Sequence, residues 1–318
     1  GMCLQIVRPN RFVWLKLLFI PAPLPDLPVM ATSDVIPLGW HNWTNLLAYV
    51  VNLGVTYSSL TGLFGETNTS LSAKYQTLVT PAGYAFSIWG PIFIWEGVFA
   101  VSQMFPQLRS NSVITSMTPW WIAACVFQCC WTIAFAQEWI FISFWCMLGI
   151  LLSLLGGILR TDLQPYSNKE FWLLRAPFSL HGGWIVAASA VNFCVLADRY
   201  RASPQVMLAF SMLSFAAITS IVSLMTLAAP RADAIIGLVA CWALAAVRSE
   251  LVKAENLRRP TRYNFYDWPE LDLAAVRLCA LVLSLTCLFL AVIATLQRLR
   301  PRKLQTPLDV IEQHALRV

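Results

Sequence analysis

A single carboxylate, Glu96, stands inside TPAGYAFSIWGPIFIWEGVFA (residues 80–100), where almost every neighbour is apolar or aromatic. On a helix it would lie about 21 Å along the axis from Ala82 and about 14 Å from Phe105, at ~1.5 Å of rise per residue. That is too deep to reach water. A carboxylate at such depth either serves a proton or a ligand, or is a protonated or hydrogen-bonded structural group that fixes helix packing. Trp89 and Glu96 share one helical face, with Phe93 between them. Pro81 suits a helix start, and Pro91, inside the helix, predicts a kink.

Two further stripes pair aromatic rings with an amide. Gln128, Trp131 and Phe135 fall at i, i+3 and i+7, and Trp184, Ala188 and Asn192 at i, i+4 and i+8, with His181 a turn earlier. Each stripe alone reads as packing. Together, three stripes that each carry an amide or acid describe a lined cavity. Asn192 in hydrocarbon needs a partner across the bundle. His181 reads more readily as a hydrogen-bonded structural residue than as a haem ligand.

The composition says which elements must position these residues. The 318-residue chain is 58% hydrophobic and only 12% charged, whereas soluble domains carry about 25% charged residues. It cannot cover a water-facing surface, so lipid must supply the apolar exterior. Apolar runs place eight transmembrane helices at 40–62, 82–105, 119–137, 139–159, 176–197, 206–228, 232–249 and 273–297. The fold class is all-α, a polytopic membrane helical bundle. The turn Gln137-Glu138 makes the third and fourth helices a tight hairpin, and Gly149, Ser153 and Gly157 form a small-residue face for close helix contact. With eight spans both termini lie on one side, and the basic loop residues, Arg175 among them, slightly favour the inside.

Residues 1–38 form an N-terminal tail, acid-poor and basic, read either as an organelle targeting leader or as a disordered or interfacial tail. Residues 39–200 hold five helices, 201–297 hold three more, and 298–318 form a polar tail. The segment 250–272, with Arg258, Arg259, Arg262 and Asp267, reads as a solvated loop, with contact to anionic lipid as the alternative.

The net charge of +6 does not point to nucleic acid, because no run of basic residues interleaves with aromatics. The nine cysteines show no CxxC and no Cys/His ligand spacing, so neither a metal site nor a disulfide framework is expected. No Ser-His-Asp set, HExxH or phosphate-cradling glycine loop stands out, so no catalytic residue is assigned.

Three segments resemble the tryptophan-rich sensory protein family, which includes the mitochondrial translocator protein (TspO/MBR). They are Pro81-Ala82-Gly83-Tyr84-Ala85-Phe86 followed by Trp89 and Phe93, then Gln128-Cys-Cys-Trp131-Thr132-Ile-Ala-Phe135, then Trp184, Ala188 and Asn192. The likeness covers about residues 40–197 and leaves the last three helices outside a five-helix core. It departs from the family at Glu96, which has no counterpart there, and at Gln128, where the family carries Asn. The resemblance implies a bundle enclosing a pocket for porphyrins or other flat hydrophobic ligands, sterols included. It makes Tyr84, Phe86, Trp89, Phe93, Gln128, Trp131, Phe135, Trp184, Ala188 and Asn192 the ligand-binding candidates, with Glu96 as a proton acceptor or a partner to a polar ligand group.

The expected function is therefore an integral membrane binder, sensor or transporter of a flat hydrophobic molecule, tetrapyrrole or sterol-like, with porphyrin or haem as ligand rather than required cofactor. Its expected partners are membrane lipid, the hydrophobic small molecule and a second copy in a homodimer. The rival is a proton-coupled small-solute carrier using Glu96, with His181 beside it and Pro91 as hinge. A third reading is a structural partner in a membrane complex.

Overall fold

The computed structural model describes residues 36–253 and 268–299, and among these every regular element is a helix. The N-terminal segment up to residue 35, read as a leader or a tail, the arginine-rich stretch with Arg258, Arg259, Arg262 and Asp267, and the C-terminal tail beyond 299 lie outside the described residues.

Among the described residues nine helices follow in chain order: α1 (Trp40–Ser59), the short α2 (Asn68–Lys74), α3 (Gly83–Ser102), α4 (Ser112–Ala136), α5 (Ile140–Thr161), α6 (Asn168–Arg199), α7 (Pro204–Ala228), α8 (Ala234–Lys253) and α9 (Glu270–Leu299). Seven of them, α3 to α9, are long and apolar enough to cross a membrane. The eighth expected span, α1, forms with 20 residues but is the polar member. Asn42, Asn45 and Asn52 fall on one face and are fully buried against α3 and α4. Asn45 Nδ2 donates to Gln103 Oε1 at 3.0 Å and to Thr118 Oγ1 at 2.9 Å. Asn42 Nδ2 donates to the Arg109 carbonyl at 3.2 Å. With seven qualifying helices among the described residues, a common side for both termini no longer follows from the count.

The prolines behave differently from expectation. Residues 83–88 form a 3₁₀ turn, and the α-helical part of α3 starts only at Trp89. Pro91 therefore sits in the first turn, where its missing N–H is no loss, and does not kink the helix interior. The true interior proline is Pro119, because α4 begins at Ser112, under an Asn111 cap, rather than at 119. Pro177 is carried by a π-helical turn, Phe171–Arg175, which relieves the clash between its ring and the preceding turn.

The α4–α5 hairpin forms with Glu138 at φ 57° in its turn. The small face of α5 lets α4 approach: a Cβ at Gly149 would meet the Phe127 ring, and one at Gly157 would meet Met117. Helix α6 is the hub, packed on α3, α5, α7 and α8. One apolar core runs from Leu78 through Trp121, Phe178 and Phe215 to Leu290, so α7–α9 share the core of the first helices. Large apolar side chains such as Trp145, Leu152, Leu278 and Phe289 point outward, as a lipid-facing surface requires.

A buried ionic clamp fixes one end of the hub. Arg175, read from sequence as a loop cation, is fully buried. Its guanidinium grips both Asp162 oxygens at 2.9 Å and Asp233 Oδ2 at 3.0 Å. Asp233 Oδ1 accepts from the Ile235 and Ile236 amides at 3.0 and 3.3 Å, capping α8. Tyr166 donates to Asp162 at 2.7 Å. Burial and the Asp162 charge push the Tyr166 phenol up to about 12.

Candidate functional site: two joined cavities and a buried acid–imidazole pair

The three aromatic stripes converge because α3, α4 and α6 turn them toward one another. Trp89 stacks on Phe93, 5.7 Å between centroids, and meets Trp184 edge-on at 6.4 Å. Trp131 stacks on Phe135 at 5.2 Å, and Phe86 meets Trp184 edge-on at 5.6 Å. Around them lie two adjoining cavities that share a partition of Asn68, Ser72, Pro81, Phe86, Trp89 and Trp131.

The inner cavity is an apolar slot of about 60 Å³, and Phe135, Trp184, Ala188 and Asn192 add to its wall. It has room for only a few waters. Asn192 finds its partner across the bundle, accepting from Ser143 Oγ at 3.4 Å. The outer chamber holds about 580 Å³, the size of a small-molecule site. Phe93, Gln128 and Thr132 join its wall from the core, and Thr56, Tyr57, Gln76 and Glu250 from its rim.

Of the ligand-binding candidates, Phe86, Trp89 and Trp131 line both cavities. Phe93 and Gln128 line the outer chamber, and Phe135, Trp184, Ala188 and Asn192 the inner slot. Tyr84 stands apart, half-exposed and edge-on to Trp242 of α8 at 5.2 Å. Glu96 lines neither cavity. It is fully buried, with Oε1 2.6 Å from Nδ1 of the equally buried His181. Among the described residues, Glu96 Oε2 and His181 Nε2 have no hydrogen-bond partner. Trp89, which lines both cavities, meets the imidazole edge-on at 5.6 Å.

Several wall residues were not anticipated from sequence. Thr56 and Tyr57 come from α1, whose polar residues at 42, 45, 49, 52 and 56 recur at three- and four-residue spacing and could have flagged a buried polar face. Glu250 was assigned to a loop, but α8 continues to Lys253 and carries it to the chamber mouth, where Gln76 donates to it at 3.0 Å. The Ala82 amide donates to the Ala246 carbonyl at 3.1 Å, which ties α8 to the residue just before α3.

Compared with known families, residues 42–294 match the model of the TSPO-like protein family. The chain belongs to that family. The match ends at residue 294, inside α9, so the helices beyond residue 197, where the likeness by motif stopped, lie within the family unit. No curated protein and no solved structure matches the chain. Family membership and seven apolar helices make it an integral, multi-pass membrane protein of a TSPO-like binder or transporter type.

Proposed function

We propose that the protein binds a flat hydrophobic small molecule, of tetrapyrrole or sterol shape, in the outer chamber, as a sensor or transporter in the membrane. One observation carries this reading: an aromatic-walled space of about 580 Å³ with a few polar residues in its wall. Indole and phenyl faces stack on flat ligands, and sparse amides orient them. The 60 Å³ slot behind Trp89 and Trp131 is too small for such a ligand unless those rings swing. They are thus the natural boundary of the bound state.

The test is titration of purified protein with protoporphyrin and with a fluorescent sterol, read by tryptophan fluorescence, beside a Trp89→Ala/Trp131→Ala variant. Saturable micromolar binding that the variant loses supports the reading. Equal binding by the variant places the ligand elsewhere.

A second reading is favoured by the contact between Glu96 and His181. A carboxylate and an imidazole 2.6 Å apart at membrane depth form a group that can take up and release one proton. In a proton-coupled carrier, that pair would be the proton site. Proton flux in liposomes that is driven by a solute gradient and abolished in Glu96→Gln supports the carrier; ligand binding without flux supports the binder.

A further inference from the structure

We propose that a groove on the lipid-facing side of α3 holds one anionic phospholipid, with an acyl chain laid along α3 and the phosphate at Lys169. The groove shares no wall residue with the two cavities, so the site is independent of the ligand-binding reading above.

The first observation is the order of polarity along the groove. It has a volume of about 890 Å³ and lies between α3, residues 105–108 and the first turns of α6. Ile94, Val98, Val101 and Phe105 line it at i, i+4, i+7 and i+11, and all four are exposed. Leu173 adds an apolar wall from α6. Gln107, Ser167, Lys169 and Glu170 gather at the end where α3 stops. Ile94 lies two residues from Glu96, at membrane depth. From Ile94 to Ser102, the last helical residue, is about 12 Å at ~1.5 Å per residue, and Phe105 stands beyond it. That is close to one leaflet, half of a hydrocarbon core about 30 Å thick. An apolar trough of leaflet length that ends in polar side chains follows the order of a phospholipid from chain end to headgroup.

The second observation is charge. Lys169 is exposed and makes no ion pair among the described residues. The adjacent Glu170 is engaged elsewhere: Oε2 accepts from the Ser167 amide at 2.7 Å, and Oε1 accepts from Asn111 Nδ2. Arg109, just past the groove wall, donates from Nε to the Met104 carbonyl at 3.0 Å and brings a second cation to this end. Two cations against one carboxylate favour a phosphate, and the flexible ammonium of Lys169 can follow it.

The third observation sets a lipid chain ahead of another helix. Close helix contacts in membranes rest on small residues, but the exposed stripe here is bulky. Gly97, the one glycine in the wall, is already covered by α1: a Cβ there would meet the Tyr49 hydroxyl at 2.7 Å. Trp95 stacks on Trp172 at 5.8 Å and donates to its carbonyl at 2.8 Å, which holds the α6 wall against α3.

Native mass spectrometry of the full chain, purified in detergent and stripped of lipid, tests this. The protein is titrated with phosphatidylglycerol and with phosphatidylcholine of the same acyl chains. One phosphatidylglycerol should bind before any other lipid, about fivefold tighter than phosphatidylcholine, the factor expected from one lysine at a headgroup. Lys169→Gln should bring the two lipids within about twofold while leaving phosphatidylcholine unchanged. Val101→Trp, which fills the trough, should weaken both lipids about tenfold, with Val98→Trp as a second variant should the first fold poorly. Equal binding of the two lipids, a preference that survives Lys169→Gln, or binding untouched by the tryptophan variants overturns the site and leaves only unspecific lipid around the helices. A dimer that Val101→Trp dissociates, with lipid binding unchanged, assigns the groove to a second copy and also overturns it.

Discussion

Glu96 Oε1 lies 2.6 Å from His181 Nδ1, and neither side chain exposes any surface. The contact joins α3 to α6 across the middle of the bundle. Each residue is thus the other's reason for being tolerated there. Removing one leaves a buried polar group alone, at a cost of about 1–3 kcal/mol. Glu96→Ala and His181→Ala should each lower stability by that amount, and the double variant should lose less than the sum. Denaturant unfolding in detergent micelles measures the cycle. A coupling energy near zero would show that the two side chains do not support one another.

Legibility from sequence was uneven, and the reasons are physical. The helical hairpin at Gln137-Glu138 and the three stripes were readable because they depend on local period and spacing. That Glu96 needed a partner was readable from depth, but the identity of the partner was not, since 85 positions separate the two residues. Arg175 was misread for a related reason: its two aspartates lie 13 and 58 positions away, so the local sequence looked like a basic loop. Pro91 was expected to kink a helix interior and does not, while Pro119 falls inside α4, because α3 turns α-helical only at Trp89 and α4 begins at Ser112, before its apolar run. Capping by Asn111 and the 3₁₀ turn at 83–88 set those starts, and neither leaves a hydropathy signal. Glu250 was hidden because α8 runs on into a segment whose charges resemble a loop.

Arg175 is the counter-charge that Asp162 and Asp233 share, and all three side chains are buried. Arg175→Met should destabilise the protein by about 3–5 kcal/mol, because two buried carboxylates lose their counter-charge. Arg175→Lys should recover only part of that, since an ammonium cannot hold both Asp162 oxygens and Asp233 at once. Thermal unfolding of the three proteins checks the order. A lysine variant as stable as the parent would mean that charge alone matters.

Gly183 and Gly54 should respond oppositely to the same change. A Cβ at Gly183 would sit 2.9 Å from Val239 Cβ and 3.2 Å from the Ile236 Cα, so backbone stands in its way. Gly183→Ala should force α6 and α8 apart and cost about 1–3 kcal/mol. Nothing lies within 4 Å of a Cβ at Gly54, in the middle of α1. Gly54→Ala should stabilise by about 0.5–1 kcal/mol through helix propensity. Unfolding midpoints of the pair decide. Destabilisation at both sites would point to a general intolerance of α1 and α6 rather than to the α6–α8 contact.

Glu138 gives an acid dependence whose sign follows from its partners. Lys74 Nζ lies 2.6 Å from Oε1, and the Tyr75 hydroxyl donates to Oε2 at 2.5 Å. Burial alone would raise the carboxyl, but these hydrogen bonds and the Lys74 and Arg199 charges hold it below its ordinary value. The folded state therefore binds the proton less readily than the unfolded chain. The stabilisation is complete above the ordinary glutamate range, near pH 4.5, and is lost as pH falls through the lower folded value. The pair is partly exposed, so its worth is at most about 1 kcal/mol. Glu138→Gln keeps the backbone preference at φ 57° similar while removing the charge. It should lower stability slightly at pH 7 and by less as pH falls, so that the two proteins converge in acid. Unfolding midpoints at pH 7 and at pH 3.5 test this. A difference that grows toward low pH would reverse the sign and show that the Lys74 and Tyr75 contacts do not hold Glu138 in its charged form.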